Sequence, residues 1–424
     1  MPRAAPRLLL LLPTVTYRTV AFVEAARRLG VEVTVASERP STFEQANPTG
    51  LVTLDFADPA RAAGQARAFA HTHLVHGVVA VDDDTAVVAA AVAEELGLRG
   101  NPVAAATAAR DKHQQRQLLA AAGVAVPRFE LLTTAADPER VARGASYPCV
   151  LKPLRLSASR GVVRADTPDG FMAAFRRLKA ILEQPEVARC GDWARQILVE
   201  EFVPGPEVAV EGLVTQGALT VLAIFDKPDP LEGPFFEETI YVTPSRLAPT
   251  AQQQVAACAQ AAVSALGLQE GPIHVEVRYN DRGAWLIELA ARPIGGRCSG
   301  ALRFESRDGG GEVRDASLEE IIIRHALRMP IPTLEREAQA SGVMMIPVPG
   351  AGVLRGVRGV GEAEQVPLVE EVVITAHPGQ TLVPWPEGSR YPGFIFARGE
   401  TSEAVQGALR AAHARLEFLT EPAD

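Results

Sequence analysis

The chain has little cysteine, no excess of positive charge and no apolar run long enough to cross a membrane. Its four cysteines show neither the spacing of metal ligands nor that of a disulfide framework, and we expect reduced thiols in a cytoplasmic protein. They are Cys149, Cys190, Cys258 and Cys298, the last of which we interpret as structural. The apolar run Leu8–Leu12 is too short for a signal peptide or a membrane helix, so it predicts a buried strand.

The net charge bears on which kinds of partner the chain is expected to bind. The net charge is −9 and the pI is near 5.5. A general nucleic-acid surface needs a basic stripe, so we expect no nucleic-acid partner, and we expect no membrane partner either. A local anion site is still allowed. The length of 424 residues predicts roughly two to four domains.

The N-terminal region alternates short apolar runs with segments of helical periodicity, which predicts an α/β fold with a parallel sheet. The predicted strands are Leu8–Leu12, Val31–Ala36, Leu51–Leu54 and Val78–Val81, and the predicted helices are Val20–Leu29, Pro59–Ala70 and Thr85–Leu96. A dinucleotide-binding fold is one candidate. No G-x-G-x-x-G sequence follows the first strand, however, which removes the main support for a dehydrogenase.

The predicted secondary structure changes twice along the rest of the chain. A helix is predicted at Val103–Ala122, where Gly123 would end it. From Pro148 the sequence is β-rich, with one long helix at Pro249–Leu266. The C-terminal part then shows short strands and Gly/Pro turns, and it ends in a predicted helix at Ser402–Leu416.

The segment IHVEVRYNDRGAWLIELAARPIGGR, residues 273–297, predicts two strands joined by a turn at Asn280–Gly283. Side chains alternate between the two faces of a strand. One face of the second strand is therefore expected to carry Glu288, Ala290 and Arg292, and the other Trp285, Ile287 and Leu289.

The hairpin places two glutamates face to face, because Glu276 on the first strand falls opposite or diagonal to Glu288. Like charges in these positions destabilise a ladder. Two explanations are open. The pair lies on a solvated face, neutralised by Arg278 and Arg292, or it binds a divalent cation such as Mg²⁺, which takes one or two carboxylates together with water and phosphate oxygens.

Two further stretches are compatible with a nucleotide. Lys152 ends a predicted strand before the small-residue loop Leu156–Gly161, where an ammonium and backbone N–H groups could hold phosphates. A predicted strand at Ile197–Glu200 is followed by the linker Glu201–Pro206, which could present its backbone to an adenine, and by Glu207, which could meet ribose hydroxyls. Each stretch alone is equally compatible with an ordinary surface connection.

Taken in order, four stretches resemble the ATP-grasp superfamily. They are ARDKHQQRQLLAAAGVAVP, VLKP with SASRGV, VEEFVPGPEVAVEG, and HVEV with LIELAARPIGG. The resemblance runs from about residue 5 to 420. It implies a parallel α/β N-terminal domain at 1–105, an ATP-grasp domain at 106–340 with a mobile lid at about 135–205 and an antiparallel metal-binding sheet, and a small β-rich domain at 341–424.

The resemblance also implies roles for individual residues. It assigns ATP to the phosphate contacts Lys112 and Lys152, the loop residues Ser157, Ser159 and Gly161, the adenine hinge Glu200, Glu201, Phe202 and Val203, and the ribose contact Glu207. It assigns Mg²⁺ or Mn²⁺ to Glu276 and Glu288, and the reacting phosphoryl group to Arg292. The backbone of Gly295 and Gly296 could complete an oxyanion site, or the pair could form a plain tight turn.

One position departs from the common pattern. Most ATP-grasp ligases carry Glu-x-Asn-x-Arg on the second metal strand, whereas this chain has Ala290 in place of the asparagine, and a methyl group cannot bind a cation. This form, with His274 two residues before Glu276, is similar to the L-amino-acid ligases that form dipeptides, near carnosine synthase. The segment FDKPDPLEGPFFEETIYVTPS, residues 225–245, resembles the same branch.

Substrate contacts are the least specific part of the pattern. Lys227, Glu237, Glu238 and Tyr241 lie on a predicted substrate loop, where they could balance the charged ends of an amino acid or simply be solvated. His274 could bind substrate or be a satisfied histidine of the sheet.

The resemblance implies an ATP-dependent carboxylate-amine ligase that joins two amino acids through an acyl phosphate and releases ADP and phosphate. Its partners would be small carboxylates and amines, and a homodimer is left open. The alternatives are a ligase or carboxylase acting on another carboxylate, or a nucleotide-binding protein without turnover. The sequence identifies neither substrate.

Overall fold

A run of buried leucines forms the centre of the N-terminal sheet. The computed structural model describes residues 5–14, 16–307 and 313–422. Four parallel strands lie in the order β3-β2-β1-β4, which confirms the predicted α/β region. The elements are β1 (Arg7–Leu11), α1 (Thr19–Arg28), β2 (Glu32–Ser37), β3 (Leu51–Thr53), α2 (Pro59–Ala70), β4 (Gly77–Ala80) and α3 (Asp83–Glu95).

Alternate leucines of β1 serve the two faces of this sheet. Leu9 and Leu11 pack with Ala62 and Val88 of α2 and α3, whereas Leu8 and Leu10 pack on the opposite side with Phe22 of α1. Both faces are therefore covered, as is usual for a parallel sheet. The turn between β4 and α3 lies at the carboxyl edge of the sheet, which faces the rest of the molecule.

The predicted single helix at Val103–Ala122 is wrong, because the structure breaks it at Asp111. Two helices result, α4 (Val103–Arg110) and α5 (Lys112–Ala121). Asp111 has an extended backbone, and its side chain accepts hydrogen bonds from the N–H groups of His113 and Gln114. An aspartate in this role begins a new helix. The break places Lys112 at the first position of α5.

A small antiparallel sheet follows, with strand order β5-β8-β6-β7. Its elements are β5 (Phe129–Thr133), α6 (Pro138–Gly144), β6 (Cys149–Pro153), β7 (Val163–Ala165), α7 (Pro168–Leu182), α8 (Pro185–Ala188) and β8 (Gln196–Glu201). Phe171, Phe175 and Leu178 of α7 cover one face of this sheet and form its own core with Leu151 and Ile197. This unit, residues 129–201, includes most of the predicted lid.

The largest sheet has eight antiparallel strands in the order β13-β12-β9-β10-β11-β16-β20-β18. Its first part consists of β9 (Glu207–Thr215), β10 (Ala218–Asp226), β11 (Ile240–Thr243), α9 (Pro249–Leu266), β12 (Glu270–Asn280) and β13 (Gly283–Ala290). The long helix α9 has the predicted bounds and packs with α4 and α5 against one face. The opposite face of β9 and β10 packs toward the N-terminal sheet.

The β12–β13 hairpin confirms the predicted pairing of Glu276 with Glu288. Its register shifts directly after this pair, so that Val277 faces Leu286 and Ile287 becomes an extra residue. Such a bulge changes the alternation of side chains. The expected inner face of Trp285, Ile287 and Leu289 is therefore wrong: the core takes Leu286 and Leu289, and Ile287 lines the large cavity described below.

The remaining elements complete the fold. They are β14 (Arg303–Arg307), β15 (Val313–Ser317), α10 (Leu318–Ala326), β16 (Ala340–Met345), β17 (Gly352–Arg358), α11 (Val360–Glu364), β18 (Val369–Ile374), β19 (Thr381–Leu382), β20 (Gly393–Gly399), α12 (Ser402–His413) and β21 (Glu417–Glu421). The C-terminal strands β16, β20 and β18 extend the eight-stranded sheet, and α12 covers them. Across the described ranges, no helix is both long and apolar enough to span a bilayer.

Candidate active site

A cavity of about 560 Å³ lies where the N-terminal sheet, the small sheet and the eight-stranded sheet meet. Its wall includes Asp83 after β4, Lys152 at the end of β6, the Glu276–Glu288 pair and Tyr391 from the C-terminal part. Segments far apart in the sequence therefore contribute to one cavity. A cleft between domains is a common place for a small-molecule site.

The two glutamates of the hairpin are each bound by a lysine. Lys112 Nζ lies 2.9 Å from Glu288 Oε1, and Lys227 Nζ lies 2.9 Å from Glu276 Oε1. The arginines expected to neutralise this pair have other partners, since Arg278 binds Glu207 and Arg292 binds Asp83. The repulsion across the ladder is therefore offset by two ammonium groups.

Lys227 stands among three carboxylates. Its Nζ lies 2.7 Å from Glu207, 2.5 Å from Glu238 and 2.9 Å from Glu276. The oxygens of these glutamates lie within 4.8 Å of one another, a spacing that suits a cation. Burial opposes the charge on Lys227, but Glu207 and the other glutamates raise its pKa well above the ordinary value. The ammonium itself thus serves as the cation of this cluster.

The side chains beside this cluster have altered proton affinities. Burial raises the pKa of Glu238 to about 7, although Lys227 opposes the rise, and Tyr241 Oη donates to this carboxylate at 2.8 Å. Burial lowers the pKa of His274, but the Glu211 carboxylate, 2.5 Å from Nδ1, outweighs it and the pKa rises to about 9. His274 is thus a charged, satisfied residue of the sheet that also lines the cavity.

A second buried network of salt bridges contains Lys152. Glu200 accepts from Arg116 Nε at 2.6 Å and lies 2.5 Å from Lys152 Nζ. Arg116 is fully buried and also donates to the carbonyl of Ile287. Burial opposes ionisation of Glu200, yet the two cations, Arg116 first, keep its pKa below the ordinary value. The ammonium of Lys152 is consequently fixed against the cavity wall.

The predicted hinge after β8 lines the same cavity. The N–H of Glu201 donates to Arg128 O and the N–H of Phe202 donates to Pro148 O. Both N–H groups are therefore already used in backbone hydrogen bonds of the fold. Val203 O accepts from Arg278 Nη1 at 2.8 Å, and the Arg278 guanidinium stacks 4.8 Å from the Phe202 ring centroid. The hinge is therefore held by several contacts within the fold, and Phe202 and Val203 line the cavity.

The loop after β6 is tied to two distant regions. Ser157 Oγ lies 2.8 Å from Asp83, and Trp385 Nε1 donates to Ala158 O at 2.7 Å. Gly161 has a φ of +76°, and its N–H donates to Pro386 O at 2.8 Å. Gly161 is not among the residues that line the cavity, although its neighbours Arg160 and Val162 are, and its contact with ATP stays a prediction.

Arg292 is held at the cavity by Asp83, whose carboxylate lies 2.9 Å from Nη2. Burial opposes both charges, but the Asp83 contact raises the pKa of Arg292, and Arg292 lowers the pKa of Asp83 to about 2. Gly295 and Gly296 follow on the same wall. Gly296 has a φ of +57°, where a Cβ would crowd Phe394, so a tight turn is one reason for a glycine here.

Comparison with known proteins matches three parts of this architecture. Residues 23–100 match the ATP-grasp N-terminal domain, residues 145–301 the ATP-grasp domain, and residues 344–421 the L-amino acid ligase C-terminal domain 2. A solved L-amino acid ligase from Bacillus licheniformis superposes with a TM-score of 0.80 at 28% identity, over 98% of this chain and 99% of that one. The chain belongs to the ATP-grasp superfamily. Within it, the chain lies in the L-amino-acid-ligase-like branch.

Two curated relatives of this ATP-grasp chain match in part. The alanine–anticapsin ligase of Bacillus subtilis is 32% identical over 215 residues, which cover 48% of this chain and 45% of that protein. Human carnosine synthase 1 is 28% identical over 344 residues, covering 76% of this chain and 40% of that protein. The ATP-grasp chain thus spans less than half the length of these relatives.

Most of the predicted site residues of the ATP-grasp chain line the single cavity. On its wall are Lys112, Lys152, Ser157, Ser159, Glu200, Glu201, Phe202, Val203, Glu207, Tyr241, His274, Glu276, Glu288, Arg292, Gly295 and Gly296. Lys227 lies behind the wall in its glutamate cluster, and Glu237 is engaged elsewhere, since it accepts from the N–H of Val348. Neither of these two residues is on the cavity wall, and their contacts with a substrate stay a prediction.

Sequence reasoning missed several charged residues of the ATP-grasp site. Arg116, Asp83 and Arg278 each bind a predicted site residue. Asp83 belongs to the run Asp82–Asp84 directly after a strand of a parallel sheet, which is a signal for a site. Arg278 was expected only to neutralise the glutamate pair, and its contact with Glu207 was not predicted. Arg116 gave no signal, because a single arginine on a helix usually lies on the surface.

Proposed function

We propose that this chain is an ATP-dependent ligase that joins the carboxylate of one amino acid to the amine of another through an acyl phosphate. ADP and phosphate are the other products. The observation that carries the proposal is the facing Glu276–Glu288 pair, with Lys112 bound to it and Arg292 on the same cavity wall. This combination of acids and cations suits a phosphoryl group better than a neutral ligand.

The chemistry explains why such a site is needed. A carboxylate and an amine do not condense in water without activation. Transfer of the γ-phosphoryl group of ATP to the carboxylate creates a good leaving group, and the amine then attacks the acyl carbon. Most of the catalysis of such transfers is positioning and charge stabilisation, so fixed charges matter more than a reactive side chain.

ATP would lie between the small sheet and the eight-stranded sheet. Lys112 and Lys152 would contact its phosphates, under the loop that contains Ser157 and Ser159. Glu200 orients Lys152 and is itself fixed by Arg116, so Glu200 acts on the nucleotide through the lysine. The hinge Glu201–Val203 would border the adenine. The Glu207 carboxylate would accept hydrogen bonds from the ribose, while Lys227 and Arg278 hold this carboxylate in place.

A divalent cation, Mg²⁺ or Mn²⁺, fits the facing glutamates. Each of them gives one carboxylate oxygen to a lysine, so Glu276 and Glu288 each have a second oxygen to offer. Hard cations of this kind prefer carboxylate oxygens. When bound, the cation would neutralise phosphate charge. Ala290 adds no ligand, and the neighbouring cluster of Glu207, Glu238 and Glu276 is already filled by Lys227.

Arg292 would stabilise the charge that develops on the transferred phosphoryl group. Asp83 holds its guanidinium in place, and this arrangement lets it act without reorganisation. The backbone N–H groups near Gly295 and Gly296 would lie close to the tetrahedral intermediate. His274 and Tyr241 border the substrate part of the cavity, where they would limit the size of the amino acid.

The names of three similar proteins support amino acids as substrates. They are an alanine–anticapsin ligase, carnosine synthase 1 and an L-amino acid ligase. The two ligase names describe the joining of an amino acid to another molecule. We extend that substrate class, and not a particular amino acid, to this chain.

A screen of amino-acid pairs tests this proposal. ADP and phosphate release would be measured with ATP and Mg²⁺ for each pair, with each amino acid alone and with neither. We expect release that depends on two amino acids and on the divalent cation, and a dipeptide in mass spectra of the positive reactions. Release with a single carboxylate and a non-amino-acid amine would indicate a ligase of another class. No turnover with any pair, despite ATP binding, would contradict the proposal.

A further inference from the structure

Arg18 is a buried cation that the nucleotide chemistry does not use. It lies between β1 and α1, only 6% exposed, and lines the large cavity beside Arg292 and Gly295. It also lines a second, more open cavity of about 910 Å³, together with Tyr17 and Gly296. Arg18 therefore stands at the junction between the reaction cavity and a route to solvent.

The surroundings of Arg18 differ from those of the other cations on the cavity wall. Those others have a carboxylate oxygen within 3.6 Å: Arg110, Lys112, Lys152, Arg155, Arg160, Arg278 and Arg292. The closest carboxylate to Arg18 in the described ranges is that of Asp82, at 4.0 Å. Burial lowers the pKa of Arg18, and Asp82 opposes this shift without restoring the ordinary value.

The hydrogen bonds of Arg18 leave much of its guanidinium available. Nη2 donates to the carbonyls of Pro293, at 3.0 Å, and Ile294. Among residues the structure describes, Nε and Nη1 have no hydrogen-bond acceptor. A guanidinium has five N–H groups in a planar fork that suits a carboxylate. Nη2, which both edges of the fork share, is bound to these carbonyls, whereas Nε–H and the N–H groups of Nη1 are open to a ligand.

The start of α1 adds to this positive site. Arg18 is its N-cap residue, its side chain does not cap the helix, and the first turn contains no acidic residue. The first N–H groups of a helix lack partners within it and attract anions. The helix has ten residues, and Arg18, Val20 and Ala21 at this end line the second cavity.

We infer that Arg18, with the N-terminus of α1, binds the α-carboxylate of the second amino acid, the one that supplies the amine. This inference rests on the proposed function and specifies one of its substrates. In dipeptide formation the carboxylate of the first amino acid becomes the acyl phosphate, whereas that of the second stays free and charged. A free carboxylate inside a buried cavity needs a cation without another anionic partner.

The location of Arg18 fits this role. Its contacts to Pro293 and Ile294 fix it to the residues that directly follow Arg292, so a bound carboxylate would lie near the reacting phosphoryl group. Asp82, whose Oδ1 lies 4.0 Å from Nε, is placed to attract the amino group of the same molecule. The second cavity shares Tyr17, Arg18 and Gly296 with the first, and it would give this amino acid an entry route separate from the nucleotide.

The test compares an amine substrate with its primary amide, which lacks only the carboxylate charge. The amine substrate is the one identified by the pair screen, used with saturating ATP and first amino acid. For the wild-type protein we expect kcat/KM to favour the amino acid over its amide by about tenfold to a hundredfold, the usual value of a charged hydrogen-bonded contact. In Arg18→Met this preference should disappear, because kcat/KM should fall for the amino acid and stay unchanged for its amide.

Two further variants make the result specific. Arg18→Lys keeps the charge without the planar fork and should retain part of the preference. Arg27→Met, an exposed arginine of the same helix, should leave it unchanged. An equal fall for amino acid and amide in Arg18→Met would show that Arg18 only ties α1 to Pro293 and would overturn the inference. If that variant does not fold, a wild-type protein that accepts the amide as well as the amino acid would overturn it too. Absence of wild-type turnover with any pair would instead refute the proposed function itself.

Discussion

The two halves of the cavity are built in different ways. In the nucleotide half, Lys152, Glu200, Glu276 and Glu288 lie on neighbouring strands of two sheets, and backbone ladders fix their spacing. In the substrate half, Arg18 binds carbonyls 275 and 276 positions away in the chain. The first half is therefore a local property of strand pairing, whereas the second depends on how the N-terminal sheet meets the eight-stranded sheet.

This difference has consequences for mutation. Changes in the nucleotide half act on groups whose positions the sheets maintain, so they should alter chemistry more than shape. Contacts in the substrate half link separate regions, and Asp83 illustrates this, since it binds both Arg292 and Ser157. Substitutions there should change the relation between regions as well as the local contact.

The largest effect is expected for the facing glutamates. Glu276→Gln or Glu288→Gln should reduce divalent-cation-dependent turnover below detection, because a neutral amide is a poor ligand for Mg²⁺. The fold should persist, since Glu288 is 31% exposed and its ladder is unchanged. Turnover and thermal melting are the measurements, with the exposed Glu130→Gln as control. Near-normal activity in both variants would show that these residues bind no essential cation.

Lys227 should matter more for stability than for a single catalytic step. Lys227→Ala leaves three buried or half-buried carboxylates without their ammonium, and we expect a loss of about 3 to 5 kcal/mol in the free energy of unfolding. Mn²⁺ should recover part of it, because the oxygens of the cluster suit a hard cation. Denaturant unfolding measures both. Lys179→Ala, at a partly exposed lysine, should change little, and equal stability of the two variants would contradict the role of Lys227.

Arg292 lies between the two halves of the cavity, so its variants test whether the two halves act together in catalysis. Arg292→Ala should lower kcat about a hundredfold, or about 3 kcal/mol, with a small change in KM for ATP, because its contact strengthens in the transition state. Arg292→Lys should recover only part of this, since an ammonium does not reproduce the planar fork. A variant that melts early but keeps the wild-type kcat would show that Arg292 only neutralises Asp83.

The smallest effect is expected at the connection between the loop after β6 and the C-terminal part. Trp385→Phe removes the hydrogen bond to Ala158, worth about 1 kcal/mol, and should raise KM for ATP about fivefold. Proteolysis within Leu156–Gly161 should become faster without nucleotide, and an ATP analogue with Mg²⁺ should protect this loop. Trp285→Phe, the same change on the hairpin away from the cavity, is the control. Unchanged KM and digestion would mean that this contact does not hold the loop.

The predictability of the structure follows the same division. The N-terminal elements and α9 could be predicted because periodicity and caps are local signals, and so could the Glu276–Glu288 pairing, which a short turn fixes. The bulge at Ile287 and the break at Asp111 could not, since both depend on one residue taking a role that its neighbours do not reveal. The partners of Lys227 and Arg18 come from distant segments, and no spacing in the sequence predicts which charges will meet.

The most direct test of the central claim follows an oxygen atom. The first amino acid would be labelled with ¹⁸O at both carboxylate oxygens, and the phosphate released during dipeptide formation would be analysed by ³¹P NMR or mass spectrometry. An acyl phosphate loses one carboxylate oxygen with its phosphate when the amine attacks, so we predict one ¹⁸O atom in each phosphate. Release of phosphate without the label, at the same rate as peptide formation, would contradict activation of the carboxylate by ATP.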